Sequence, residues 1–386
     1  MKKIQDIDLA GKRVLVRVDF NVSLDADGNV LDDFRLQSAL PTISYLREQG
    51  AGIILLAHLG RPEGQRVPAL TLRPVAEKMG QIAGQPVEFL PDCLGGEILS
   101  RAKKIKPGEI IMLENLRFYP GEENNDPEFA KKLAEIGEVY VNDAFAVSHR
   151  AHASVEAITK FLPGAAGLLL EKEIVNLSRV RDNPDHPLAA IIGGSKISTK
   201  IKLIQSFLNK AENIILGGAL ANTVLAAKGI AIGKSFTEEK MISEVQRMKI
   251  TDTKIHLPVD AILCVDKDNP QFCHPGPVGR VEPNECLLDI GPETESLFGR
   301  IIAKAKMVVW NGPMGMFENE AFAHGTQAVA EAISRSGAFS VVGGGETVAY
   351  LEKIKLINKF SFVSTGGGAM MEFLSGKRLP GLTALK

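Results

Sequence analysis

The chain has 386 residues, 45% of them apolar and 24% charged, with 45 Lys plus Arg set against 46 Asp plus Glu. At roughly 150 residues per domain that length predicts two domains, and the composition excludes a disordered chain. The charge balance gives no sign of a general affinity for nucleic acid, so any anion site has to be local.

Met1 to Leu9 alternates charges with single apolar residues, unlike a secretory signal. Apolar runs such as Ile53 to Ala57 are strand-sized and cannot span a bilayer. A cytoplasmic protein without a membrane partner is expected. The four cysteines, Cys93, Cys264, Cys273 and Cys286, lack C-x-x-C spacing and read as structural or free thiols, although Cys273 beside His274 is the one neighbouring pair that suggests a metal.

Short β-branched runs, each followed by a turn and a helical pattern, recur at Arg13 to Val18, Gly52 to Ala57, Glu109 to Leu113 and Glu138 to Val141. Leu169, Leu170, Ile174, Leu177 and Val180 then fall at helical spacing within Gly167 to Arg181, a helix that Asn183-Pro184 closes. The strand pattern resumes at Leu188 to Ile192, Asn213 to Leu216, Met307 to Trp310, Phe339 to Val342 and Phe360 to Val363. Alternation of this kind predicts an α/β protein of two doubly wound, Rossmann-like domains with parallel sheets, because helices supply the crossovers. The expected division is a domain at 1–167, a joining helix at 168–184, a second domain at 185–369, and a tail at 370–386 that packs on either one.

Basic residues gather at the loops after strands in the first half: Arg17, Arg35, His58 with Arg61, Arg117, and His149 with Arg150 and His152. Open α/β sheets place their ligand crevice there, and converging arginine forks suit a small, multiply charged anion. His186, His256, His274 and His324 are given no role. The second half carries glycine clusters instead, at Gly193-Gly194, Gly217-Gly218, Gly343 to Gly345 and Gly366 to Gly368, each after an apolar strand. Backbone amides approach an anion closely at such turns, and a helix start adds unsatisfied donors. A nucleotide phosphate site is therefore expected in this half, with Lys196 and Lys200 four apart on one face of a helix. Gly229 to Ser235, G-I-A-I-G-K-S, has three residues between its glycines where a Walker A motif needs four, and is set aside. No G-x-G-x-x-G follows a strand, which weakens a dehydrogenase reading.

R-V-D-F-N-V (Arg17 to Val22), H-L-G-R-P (His58 to Pro62), E-N-L-R-F (Glu114 to Phe118) and S-H-R-A-H-A-S (Ser148 to Ser154) together resemble the phosphoglycerate kinase family. G-G-S-K-I (Gly193 to Ile197), V-V-W-N-G-P-M-G-M-F-E (Val308 to Glu318), G-G-G-E-T (Gly343 to Thr347) and S-T-G-G-G-A (Ser364 to Ala369) continue the likeness in the family's order. The resemblance implies reversible phosphoryl transfer between ATP and the carboxylate of 3-phosphoglycerate, giving 1,3-bisphosphoglycerate and ADP in glycolysis and gluconeogenesis.

By the same carry-over, Asp19, Phe20, Asn21, Arg35, His58, Leu59, Gly60, Arg61, Arg117 and Arg150 hold 3-phosphoglycerate. Gly193, Lys196, Lys200, Gly217, Asn311, Gly312, Glu318 (at the ribose), Gly344, Gly345, Glu346 and Thr347 hold the nucleotide. Arg35, Lys200 and Gly367 are the implied catalytic groups, Mg²⁺ is the implied cofactor, and a monomer is expected. Two positions depart from the family's usual pattern. Glu346 stands where Asp is commoner, lengthening the arm toward Mg²⁺, and Ser23 stands where Pro is usual, loosening that turn. Since an ionised carboxylate needs no general base, the chemistry asks for alignment and charge neutralisation, with hinges near 164–167 and 183–184 and at the return of the C-terminal tail closing the two domains on their substrates. The competing readings are a metabolite-capturing clamp without chemistry, which four glycine-rich turns disfavour, and another kinase class, which the missing Walker A and H-R-D motifs disfavour.

Overall fold

The computed structural model describes residues 1–248 and 252–385. Two compact units emerge: Met1–Val175 together with the chain from Arg378 onward, and Asn176–Lys377. The division falls inside one helix, Leu168–Asp182, and inside the expected tail. Residues 370–377 stay with the second unit, whereas the end of the chain packs on the first, where Leu379 and Leu385 are buried and Gly381 N–H donates to the Ser148 carbonyl at 2.9 Å. Position 386 of that tail lies outside the described residues.

The first unit is built on β1 (Arg13–Arg17), β2 (Gly52–Leu56), β3 (Val87–Phe89), β4 (Ile110–Met112), β5 (Val139–Asn142) and β6 (Gly164–Ala166). They form one sheet in the order β3-β4-β2-β1-β5-β6, parallel at every pairing. β2 is buried at all five positions, as G-I-I-L-L predicts for a strand covered by helices on both faces. Val14, Val16, Ile53, Leu55, Val139 and Val141 form part of a core beneath the helices Phe34–Glu48 and Arg73–Ala83. The chain order reverses between β1 and β5, so a crevice opens there at the carboxyl ends of the strands.

The second unit repeats the plan with β7 (Leu188–Ile192), β8 (Asn213–Leu216), β9 (Ile255–His256), β13 (Met307–Asn311), β14 (Phe339–Gly343) and β15 (Phe362–Ser364), in the parallel order β15-β14-β13-β7-β8-β9. Its reversal lies between β7 and β13. A second sheet, unannounced by the sequence, is antiparallel: β10 (Asp260–Cys264) lies between β11 (His274–Pro277) and β12 (Cys286–Ile290). It has its own small core of Ala261, Leu263, Val281 and Leu287 with Leu225.

The cysteine reading needs one correction. Cys93 and Cys286 are free, but Cys264 and Cys273 form a disulfide, because the β10–β11 hairpin brings their Cα atoms to 4.4 Å. No group of three or more metal-ligating side chains occurs among the described residues, so the Cys273-His274 pair marks no metal centre there. Among those residues, no helix is long and apolar enough to cross a membrane.

Candidate active site

The first half of the site lies at the carboxyl end of the first sheet. β1 ends in Arg17, whose side chain is fully buried. Its guanidinium donates to the Ser154 hydroxyl at 2.8 Å and to the Val18 carbonyl at 2.6 Å, and lies 3.2 Å from His58 Nδ1. Glu122, equally buried, faces it at 3.8 Å and accepts from Ser154 N–H and Oγ–H. This network compensates the buried charges and fixes the His58 ring.

Asp19 pairs with Arg35, lies 4.0 Å from His58 Nδ1, and accepts from Asn21 N–H at 3.3 Å. The loop 58–61 is then held by two asparagines. Asn21 Oδ1 accepts from Gly60 N–H at 2.8 Å, while Asn115 both accepts from Leu59 N–H at 3.2 Å and donates to the Leu59 carbonyl at 2.7 Å. Arg117 donates to the Gly60 carbonyl at 2.7 Å and reaches Glu123 at 3.1 Å. Arg150 is half-buried and Arg61 exposed. Phe20 and Leu59 bury their side chains in the core, so at those positions only backbone faces the crevice.

Four arginines converge electrostatically on one imidazole. Burial first, and then the charges of Arg17, Arg117, Arg35 and Arg150, hold His58 well below its ordinary pKa. His152 is driven down to about 3 in the same way, by burial and then Arg17, Arg117 and Arg150. Burial also lowers Arg117 to about 10. The histidines are therefore neutral at physiological pH, and Arg17, Arg35, Arg61, Arg117 and Arg150 outnumber the carboxylates Asp19, Glu122 and Glu123 that pair with them.

The second half of the site is a cavity of about 550 Å³ in the second unit, lined by Gly194, Gly218, Leu287, Met314, Glu318 and Glu346 among others. Gly193 and Gly194, just after β7, donate their N–H groups to the carbonyls of Asn311 and Pro313 at 2.9 and 2.7 Å, locking two strand ends together. Gly312 follows β13 with φ +97°, and a β-carbon there would lie 2.3 Å from the Gly193 carbonyl oxygen and 2.4 Å from Lys200 Nζ. Only glycine allows that approach. Lys200 is buried, donates to the Gly193 carbonyl at 2.5 Å and the Asn311 carbonyl at 3.4 Å, and is lowered to about 8 by burial, with Glu346 opposing the shift.

Thr347 Oγ1 accepts from Gly312 N–H at 2.9 Å, and Asn311 Nδ2 donates to the Gly343 carbonyl at 2.9 Å. Gly217, Gly344 and Gly367 stand at the N-caps of the helices Gly218–Ala227, Gly345–Lys353 and Gly368–Leu374. Glu318, Gly345 and Glu346 are exposed.

Lys196 and Lys200 do not share a helix face. A 3₁₀ turn at Ile197–Thr199 follows Lys196, and the α-helix begins at Ile201, so Lys200 is its cap and Lys196 is exposed on the preceding turn. The Gly229 to Ser235 stretch also matters more than its failed motif suggested, since Lys234 lines the cavity with its N–H anchored on the Glu285 carbonyl at 2.7 Å. Sequence reasoning placed Arg17 among the basic residues of the crevice without giving it a ligand contact, and passed over Asn115, Glu122 and Ser154. Glu122 lies outside the matched segments, and only the fold brings it to Ser154.

The chain matches the phosphoglycerate kinase family profile over residues 4–377. It is 48% identical to the phosphoglycerate kinase of Desulfosudis oleivorans, covering 100% of this chain and 99% of that one. Its identity to that of Moorella thermoacetica is 47%, over 99% and 98% of the two chains. Among solved structures, the Coxiella burnetii phosphoglycerate kinase superposes with a TM-score of 0.86 at 40% identity, covering 99% of this chain and 98% of that one. The Pyrococcus horikoshii phosphoglycerate kinase gives 0.87 at 33% identity, covering 100% and 98%. The chain belongs to the phosphoglycerate kinase family, phosphotransferases whose acceptor is a carboxyl group.

Proposed function

We propose that the arginine crevice of the first unit holds 3-phosphoglycerate and the glycine-walled cavity of the second holds ATP or ADP. The family's reaction, reversible transfer of a phosphoryl group between ATP and the carboxylate of 3-phosphoglycerate in glycolysis and gluconeogenesis, is this chain's reaction. The convergence of Arg17, Arg35, Arg117 and Arg150 on a neutral His58 carries the assignment of the acceptor site. Arg61, Arg117 and Arg150 take the phosphate, Asp19 offers an anionic acceptor to the hydroxyl, and His58 donates from Nε2. Phe20, Asn21, Leu59 and Gly60 shape the backbone floor.

The acceptor carboxylate is already ionised, so no general base enters. Arg35, Lys200 and the amides around Gly367 neutralise charge on the phosphoryl group in a loose transition state. Gly193, Lys196, Gly217, Asn311, Gly312, Glu318, Gly344, Gly345 and Thr347 position the nucleotide. Glu346, an exposed carboxylate at the cavity wall, is the residue that would hold Mg²⁺, and a single carboxylate fits a cation carried largely by nucleotide phosphates. Bound there, the cation would offset phosphate charge.

Because donor and acceptor are held by different units, the chain bends near 164–167 and 183–184 before transfer and excludes water as it does so. It works as a cytoplasmic monomer, which light scattering tests against the chain mass of 41.6 kDa. Mg²⁺-dependent ADP formation from ATP, measured with and without 3-phosphoglycerate and with the acyl phosphate removed by a coupled dehydrogenase, tests the whole reading. Strict dependence on both substrates is expected. Binding of both ligands without turnover would leave a capture protein instead.

A further inference from the structure

Three of the chain's four cysteines stand in one row across the antiparallel sheet. Leu263 of β10 opposes His274, the first residue of β11, and Cys264 is disulfide-bonded to Cys273, the residue just before that strand. On the other side, Cys264 pairs directly with Cys286 of β12. The bulge in that ladder lies between Ile262 and Leu263, so pairing has resumed before the cysteines are reached. Directly opposed residues on antiparallel strands share a face with β-carbons about 5 Å apart. Cys264 therefore has a sulfur-bearing neighbour on each side. Cys273 and Cys286 are two strands apart, about 10 Å, beyond the span of a disulfide.

We propose that this row is a thiol–disulfide exchange site in which Cys264 carries its bond to either neighbour. Cys286 gives up its thiol proton, and the thiolate attacks Cys264 Sγ. The bond to Cys273 breaks, and Cys273 leaves as a thiolate and takes up a proton. No electrons are gained or lost, so the exchange needs no oxidant. Small thiols and disulfides of the glutathione class would set how much of the row is oxidised, which suits a compartment where disulfides are transient.

The two isomers differ in what they hold. The Cys264–Cys273 bond clasps the loop 265–272, whose Lys267 carbonyl accepts from Asn319 Nδ2 at 3.4 Å, next to Glu318 at the cavity wall. The Cys264–Cys286 bond frees that loop and places the disulfide in the wall itself, since Cys286 lines the cavity.

The test is thiol counting and peptide mapping of the full chain equilibrated with oxidised glutathione. Cys273→Ser should retain one titratable thiol, Cys93, and yield a Cys264–Cys286 peptide. Cys264→Ser should form no internal disulfide and keep Cys273 and Cys286 separate. A Cys273→Ser chain whose Cys264 and Cys286 stay as thiols, or end only as mixed disulfides with glutathione, overturns the proposal. Should that variant not fold, the unsubstituted chain is held with a trace of reduced glutathione and mapped over time. Appearance of the Cys264–Cys286 isomer supports exchange, and its absence after days overturns it.

Discussion

Arg17 can only donate hydrogen bonds, so its contact at 3.2 Å makes His58 Nδ1 an acceptor and leaves the ring proton on Nε2. His58 and His152 are thus neutral in the fold, while the unfolded chain protonates near the ordinary 6.5. Below that pH the unfolded state binds protons that the native state refuses, so both histidines contribute stability above 6.5 that is lost as pH falls, toward about 3 for His152. Replacing His152 with Gln should flatten the decline of urea-unfolding stability between pH 6.5 and 4. An unchanged decline would mean His152 is not one of the groups responsible. Lys200 gives a prediction of opposite direction: with its pKa lowered to about 8, the free-enzyme profile of kcat/KM for nucleotide should fall above that pH. Lys200→Arg should remove this limb, and Lys200→Met should lower kcat by about 10²–10³-fold. Arg35→Ala should cut turnover far more than nucleotide affinity, because its partner charge develops in the transition state. Turnover within a few-fold of the parent would reduce Arg35 to a binding role.

At the level of elements, the helix Leu168–Asp182 depends on a cap outside its own sequence. Asp143, at the end of β5, accepts from the N–H groups of Leu169 and Leu170 at 3.0 and 3.2 Å. Gly167 leaves room for it, since a β-carbon there would lie 2.1 Å from Asp143 Oδ1. Gly167→Ala should therefore cost about 1–2 kcal/mol through the displaced cap, read by thermal unfolding of the first unit. Burial raises Asp143 from 3.8 to about 6, so its contribution is full below 3.8 and lost as pH rises through 6. Asp143→Asn should gain on the parent by up to about 3 kcal/mol across that window, and a pH-independent difference would assign the carboxyl no titration there. The same contrast between local and distant signals explains what the sequence disclosed. β2 and β7 are continuous apolar runs, and β1 and β13 carry apolar centres, as strands buried on both faces must, so all four could be read directly. β3 is three half-exposed or exposed residues, and β11 contains two prolines, so neither carries a strand signal. Lys196 and Lys200 were spaced for one helix, but the 3₁₀ turn Ile197–Thr199 delays its start to Ile201. The motifs named residues gathered at the strand ends of the two parallel sheets; a buried partner such as Glu122, which accepts from Ser154, belongs to tertiary contacts that no spacing encodes.

For the molecule as a whole, separate sheets and separate cores imply that each half-site forms without the other. Substitutions far apart with no shared partner act independently. Arg117→Ala, which removes a buried cation from the first unit, should therefore weaken 3-phosphoglycerate binding strongly and leave the calorimetric affinity for ADP unchanged. Closure adds the opposite expectation for ternary complexes: if bending is favoured only when both ligands are present, each must tighten the other by the same factor. The radius of gyration from small-angle scattering should then fall with both substrates bound and stay constant with either alone. In Arg117→Ala, saturating nucleotide should no longer produce that fall at a 3-phosphoglycerate concentration that compacts the parent. A radius unchanged in the parent's ternary complex would sink the hinge mechanism while leaving the two half-sites intact, since their binding is measured separately.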